Sequence, residues 1–298
     1  MKSVIKKRLS ALMSMAVFSA MLAGCSSAGT DTGTASGGSA DTSAASAGAA
    51  VSSDSSVLKI GLNSDPPSYD PADFNSTRAT LACYSCYDTL LQFSDDGTEL
   101  LPDLAESWEQ KDDLTYVYKI RSDVLFNDGT PMTMDDVLFS LNRILDPDTA
   151  ASMSYLFENV ESFEQTGDYE LTVHLKTPDA TWKFVPATSP CTIVSKAAVE
   201  AAGDEYGAIT SLTCVGTGPY KLESWTSGSE ITLVKNENYW GDKSTQLWDK
   251  VVYNIIPDDT SMALAAQSGV VRHPPSPSGR WPTSSRMTPV ATSRRSPA

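Results

Sequence analysis

Apolar residues along the chain recur with two periods, and the changes between them mark the elements. Val57-Leu58-Lys59-Ile60-Gly61-Leu62 reads as a strand. The stretch Asp65–Pro71 holds three prolines and is extended and turning, because residues before proline avoid the α region. Ser76 is placed to cap a helix reaching about Phe93, with Leu81, Cys83, Cys86, Leu90 and Leu91 spread over most of its faces, which predicts burial. Thr115–Arg121 has strand composition. Thr133 and Asp136 have the spacing of a capping box, and Val137, Leu138, Leu141, Ile144 and Leu145 follow at helical intervals until Asp146-Pro147 stops them. Tyr169–Lys176 alternates as a strand. Ser195–Ala202 reads as a short helix with Gly203 placed to cap its end. Lys221–Trp225, Ile231–Lys235 and Lys250–Ile256 are three further strands, and Asp258-Asp259 precede a helix over Ser261–Gln267. Helices and strands mix without strict alternation, so the fold class is α/β with a mixed sheet.

The two ends do not fit this pattern. Residues 1–24 carry Lys2, Lys6, Lys7 and Arg8 ahead of a short apolar stretch, which is the layout of an export signal. That stretch closes on Leu22-Ala23-Gly24-Cys25 and resembles the bacterial lipoprotein box, in which the cysteine is lipidated and becomes the first residue; an ordinary signal peptide is the alternative. Two or more acyl chains at Cys25 would anchor the chain stably, at about 0.8 kcal/mol per buried CH₂. Residues 26–56 contain only Ser, Ala, Gly, Thr, Asp and one Val, so no core can form there. With Cys25 they read as a flexible tether with a reach of about 30 Å. Residues 270–298 hold five Arg, no acid, and six of the 17 prolines, so no regular period survives. This segment reads as out-of-frame translation or as a natural disordered tail; the abrupt loss of acids favours the first.

Charge narrows the function. The net charge is -15, and residues 25–269 carry all 37 acids, which disfavours binding to nucleic acid. Only His174 and His273 occur, so a histidine-rich metal site or a Ser-His-Asp triad has little to draw on. No metal or other cofactor is expected. Cys83-Tyr84-Ser85-Cys86 has CxxC spacing without a second pair or a nearby histidine, and reads as two buried thiols. Whether they form a disulfide is open. His174 sits among Val173 and Leu175 on a strand and reads as surface-facing, whereas Trp182, Trp225, Trp240 and Trp248 read as core. Gly216-Thr217-Gly218 is followed by Pro219 and a strand, which excludes a phosphate loop and points to a tight crossing of chains.

Four stretches together resemble one family. They are Leu101-Pro102-Asp103-Leu104-Ala105-Glu106-Ser107-Trp108; Asp123–Val137 with Ser140-Leu141-Asn142-Arg143; Val215-Gly216-Thr217-Gly218-Pro219-Tyr220-Lys221-Leu222; and Asn236-Glu237-Asn238-Tyr239-Trp240-Gly241. In this order they resemble the family 5 extracellular solute-binding proteins, the dipeptide, oligopeptide and nickel receptors of ABC importers. The resemblance implies a type II periplasmic-binding-protein clamshell, of which residues 57–269 would be the first lobe, with an inserted subdomain over about 87–177. It implies that Leu101–Trp108 is an early helix and that no catalysis occurs. The implied partners are a peptide or similar small solute, an ABC permease, and the membrane through a lipid anchor. The chain would act as an extracytoplasmic monomer. In peptide-binding members the first lobe offers extended backbone to the peptide, and Phe74, Asn75, Ser76 and Thr77 would be that segment here; the alternative is that Ser76 caps a helix and Phe74 packs on it. With the second lobe missing, capture would be impaired. Other functional classes are a secreted lipoprotein enzyme, which lacks a GxSxG motif and a choice of bases, and a surface scaffold.

Overall fold

The structure, a computed structural model, describes residues 56–74 and 83–272. Among the described residues, ten strands and three helices are built around two hydrophobic cores. Strand β1 (Val57–Leu62) pairs parallel with β10 (Lys250–Ile255), which pairs antiparallel with β9 (Glu230–Lys235), and β9 with β8 (Tyr220–Thr226). This sheet is therefore mixed, in the order β1-β10-β9-β8. Its central members are buried on both faces: Val251-Val252-Tyr253 has no polar alternate, and the alternate of Ile231-Thr232-Leu233, Thr232, is itself buried.

The second sheet is antiparallel throughout, in the order β4 (Ala105–Gln110), β5 (Thr115–Ile120), β7 (Glu170–Leu175), β6 (Val160–Gly167). A two-stranded ribbon, β2 (Leu91–Phe93) with β3 (Leu100–Pro102), precedes it. Helix α1 (Met134–Leu145) buries Val137, Leu141 and Ile144 in the same core as β5 and β7. Its capping box is formed: Thr133 N–H donates to Asp136 Oδ2 at 2.9 Å, and Asp136 N–H donates to Thr133 Oγ1. The other oxygen of Asp136 accepts the N–H of Lys196 at 2.9 Å, so one carboxylate ties α1 to helix α2 (Lys196–Ala202). Ser195 caps α2, and Gly203 at its end takes φ +55°. Helix α3 (Asp259–Gln267) begins at Asp258, whose carboxylate accepts from Ser261 N–H at 2.7 Å.

Three expectations are corrected. The helix foreseen from Ser76 to Phe93 does not continue: the chain turns at Tyr84–Cys86 and ends the stretch as β2. The carbonyls a longer helix would use are taken by another segment, Ser85 C=O by Tyr220 N–H at 2.8 Å and Cys86 C=O by Gly218 N–H at 3.1 Å. Leu101–Trp108 is not a helix either; it forms the end of β3 and the start of β4, and β4 satisfies its backbone by pairing with β5. The third concerns the boundary at Gly269. Val271 is buried, Arg272 N–H donates to Lys59 C=O at 2.8 Å, and Gly61 N–H donates to Arg272 C=O at 3.3 Å. Structure thus runs three residues further, as a parallel bridge on the outer edge of β1.

Candidate functional site

The segment Ser68–Phe74 is held from several directions at the end of β1. Tyr69 N–H donates to Gly207 C=O at 2.8 Å, and Asp70 N–H donates to Ser68 Oγ at 2.8 Å. Asp70 caps the single turn Pro71–Asp73 through Ala72 N–H at 3.0 Å. The same carboxylate receives both terminal nitrogens of Arg143 from α1, Nη1 at 2.7 Å and Nη2 at 2.5 Å. This is a bidentate pair with little solvent around it, and the guanidinium also lies 5.8 Å from the ring centre of Tyr206. Hydrogen bonds and the charge of Asp70 outweigh burial and hold the Arg143 pKa above its ordinary value. Burial, then the neighbouring charge of Asp70, raise Asp73.

Beneath the segment is a set of neutral phenols. Tyr87 Oη donates to Tyr69 C=O at 3.0 Å and lies 3.3 Å from Tyr206 Oη, which donates to Val215 C=O. Burial raises all three tyrosines well above the ordinary phenol range, so all stay uncharged; Tyr87 and Tyr206 act as hydrogen-bonding struts, whereas the Tyr69 hydroxyl is buried without a partner among the described residues. Phe74 closes this layer, with its ring 6.4 Å from that of Tyr87. Phe74 is buried, its backbone is extended at φ -69°, ψ 97°, and its N–H closes the turn by donating to Pro71 C=O at 3.2 Å. Asn75, Ser76 and Thr77 lie outside the described residues, as does Cys25.

The sequence motifs converge behind this layer. Asn127 Nδ2 donates to Cys214 C=O at 2.9 Å, and Asn127 N–H to Gly216 C=O at 2.9 Å. Asn236, wholly buried, donates to Gly218 C=O at 2.8 Å, and Asn238 reaches Asn127 C=O. Gly216 and Gly218 lie flat on Cys86-Tyr87: a Cβ on Gly218 would sit 2.5 Å from Cys86 C and Tyr87 N. The close crossing read from Gly-Thr-Gly is therefore present. Trp240 donates to Asp88 at 2.9 Å and is covered by Arg121, 4.6 Å from its ring centre. These residues build a scaffold; no nucleophile and base are poised against each other among them.

An open groove of about 480 Å³ runs beside α1, lined by Leu138, Phe139, Asn142, Arg143 and Lys196. His174 is half-buried on β7, 3.7 Å from Glu164 of β6. Trp182 and Trp225 are buried, and Trp240 and Trp248 pack partly buried against the two cores. Among the described residues no group of His, Cys, Asp and Glu is placed to hold a metal, and no helix is long and apolar enough to cross a membrane.

The model of the bacterial extracellular solute-binding proteins, family 5, matches residues 99–288. The chain belongs to this family. Its members are solute-binding proteins, and the fold is that of the type II periplasmic binding proteins. Glutathione-binding protein GsiB of Escherichia coli K12 is 29% identical over 211 residues, 70% of this chain and 40% of GsiB. Among solved structures, DppA of Helicobacter pylori in complex with the peptide STSA is 31% identical with a TM-score of 0.65, over 72% of this chain and 45% of that one. AgaA of A. tumefaciens R10 in complex with agropinic acid is 30% identical with a TM-score of 0.66, over 72% and 43%. This family 5 chain thus spans less than half the length of the relatives it matches.

Proposed function

We propose that the chain is the solute-capturing part of an ABC importer, taking peptides or a related small solute outside the cytoplasmic membrane. The observation that carries this reading is the likeness to DppA, solved with a peptide, over 72% of this chain. The clamped turn ending at Phe74 supports it, because it fixes the start of the segment from which extended backbone would pair with a peptide as an added strand. Asn75, Ser76 and Thr77 continue that segment as the proposed ligand-binding residues. Cys25 is the proposed lipid attachment, which would hold the chain at the membrane beside a permease.

A clamshell receptor surrounds its solute, and closure is driven by tighter binding in the closed state. The 298-residue chain by itself offers one side only and leaves a ligand facing water. Calorimetry with a mixed peptide library tests both parts of the reading. The chain joined to a second lobe should bind peptides with micromolar or tighter affinity, and the 298-residue chain should not. Saturable micromolar binding by the shorter chain overturns the impairment. Failure of the completed protein with peptides, together with binding of opines or a nickel chelate, overturns the peptide reading. For the anchor, Cys25→Ala should abolish labelling by a radioactive fatty acid; an unlabelled wild type would disprove lipidation.

A further inference from the structure

The sequence brings Cys83 and Cys86 together, but the fold adds a third thiol from far along the chain. Cys214 lies two residues before Gly216, and Gly216 is pressed against Cys86: a Cβ there would stand 2.3 Å from Cys86 C=O and from the ring of Tyr87. Asn127 fixes this approach by holding Cys214 C=O at 2.9 Å and Gly216 C=O at 2.9 Å. Cys83, Cys86 and Cys214 are all buried in one core, and the backbone crossing at Gly216 brings the Cys214 segment against Cys86. Cys83 belongs to the same cluster and has a partner of its own, its sulfur donating to Ser68 C=O at 3.7 Å. Cys191, the remaining described cysteine, is buried in the other core.

We propose that Cys86 and Cys214 are a cross-linking site, oxidised to a disulfide as the chain folds after export, with Cys83 left as a free thiol. In the reduced fold these sulfurs are sealed from solvent, and burial pushes the Cys83 and Cys86 thiols up, so thiolate attack is suppressed once the core has closed. Pairing therefore belongs to the folding chain, which meets small disulfides in an oxidising compartment. One cysteine thiolate attacks an incoming disulfide such as oxidised glutathione, forming a mixed disulfide and releasing one glutathione thiol. The second thiolate attacks the protein sulfur and releases the other. The two cysteines lose two electrons and two protons, and glutathione takes them up. The cross-link would tie together residues 128 positions apart, Cys86 and Cys214, and constrain the unfolded chain most where the second core needs it. The reading rests on export only for where the oxidant is met.

The test refolds the full chain with reduced and oxidised glutathione, blocks free thiols under denaturing conditions, and maps tryptic peptides by mass. The expected product joins the peptide 79–111 to the peptide 197–221, with two hydrogens lost at the bond and one blocking group gained on Cys83. It should persist in Cys83→Ser and vanish in Cys86→Ser and in Cys214→Ser. In Cys83→Ser a reductant should lower the thermal midpoint by on the order of 10 °C. Four blocked thiols at positions 83, 86, 191 and 214, an 83–86 bond within one peptide, or pairing through Cys191 would each overturn the proposal. None of these outcomes depends on peptide binding, so a failed capture assay leaves the cross-link standing or falling by itself.

Discussion

The core under α1 is drawn from one stretch of chain, residues 90–193, with Ala72 as its single outside member. The core under the β1-β10-β9-β8 sheet is assembled from two distant pieces, residues 58–87 and 194–255. In the first, every strand pair is antiparallel, β4–β5 and β6–β7 are joined by short turns, and only the β5–β7 pair closes over the segment that carries α1, so most loop closure costs little before contacts form. In the second, β1 meets β10 only after the whole first core has been threaded between them, and β1 still needs Arg272 on its other edge. The first region is locally determined. The second depends on how well distant segments fit where they cross, and on the chain beyond β10.

The largest effect is expected at that crossing. Gly218→Val puts a branched side chain 2.5 Å from the backbone of Cys86 and Tyr87, where nothing flexible can yield. It should cost about 4 kcal/mol or more, read by urea unfolding followed at the tryptophans. Gly97 in the β2–β3 turn is the control: its φ is +71° but nothing lies within 4 Å of a Cβ there, so Gly97→Ala should cost about 1 kcal/mol. Equal costs at the two glycines would refute the contrast between regions.

Arg143 and Asp70 connect the two regions, since Arg143 stands on α1 and Asp70 follows Tyr69 of the second core. Arg143→Met leaves a nearly buried carboxylate without its cation and should destabilise by roughly 3 kcal/mol. Hydrogen exchange should show protection lost in β1 and β10 first, with β5 and β7 holding theirs. The double variant Asp70→Asn with Arg143→Met should recover part of the loss, because the penalty is the unpaired charge. Uniform loss across both sheets would mean that the regions unfold as one.

The same contrast governs how much of the molecule is legible in its sequence. β1, β5, β7, β8, β9 and β10 are legible from short apolar or alternating runs, α1 from its helical period and its capping box of Thr133 with Asp136, and α2 and α3 from the caps Ser195 and Asp258, since α3 buries no residue. β6 is not, because bulges at Val160/Ser162 and Gln165/Gly167 interrupt its alternation and its outward residues are polar. The stretch before Phe93 mimics a helix because an apolar run does not show which segment will claim its carbonyls. At the candidate site, the sequence places Phe74 in an extended segment, but its clamp is invisible there: Asp70 and Arg143 are 73 residues apart, and no pattern couples them. Cys214 escapes a reading of the sequence for the same reason.

The smallest effect concerns a purely local device of the first region. In the β2–β3 turn, Asp96 Oδ1 accepts from Ser94 Oγ at 2.7 Å, from Thr98 Oγ1 at 2.8 Å and from Thr98 N–H at 3.1 Å. The Ser94 hydroxyl leads and Thr98 follows in holding the Asp96 pKa down, to about 2 from an ordinary 3.8. A carboxylate depressed by folding adds stability above its unfolded pKa and loses it as pH falls through the folded one. The contribution should therefore be complete above pH 3.8 and vanish as pH falls through about 2. The carboxylate is exposed, so the change in stability itself should be slight, and the direct measure is the side-chain carbonyl shift of Asp96 followed by NMR from about pH 1 to 6. Wild type should titrate near 2. Ser94→Ala should move the midpoint upward by part of the difference, since Thr98 still bonds the carboxylate, and further than Thr98→Ala does. The three bonds lie within five residues, so Arg143→Met should leave the midpoint where it is. A midpoint that moved with Arg143 would show that even this turn depends on the distant contact, and the division between a locally built region and an assembled one would fail.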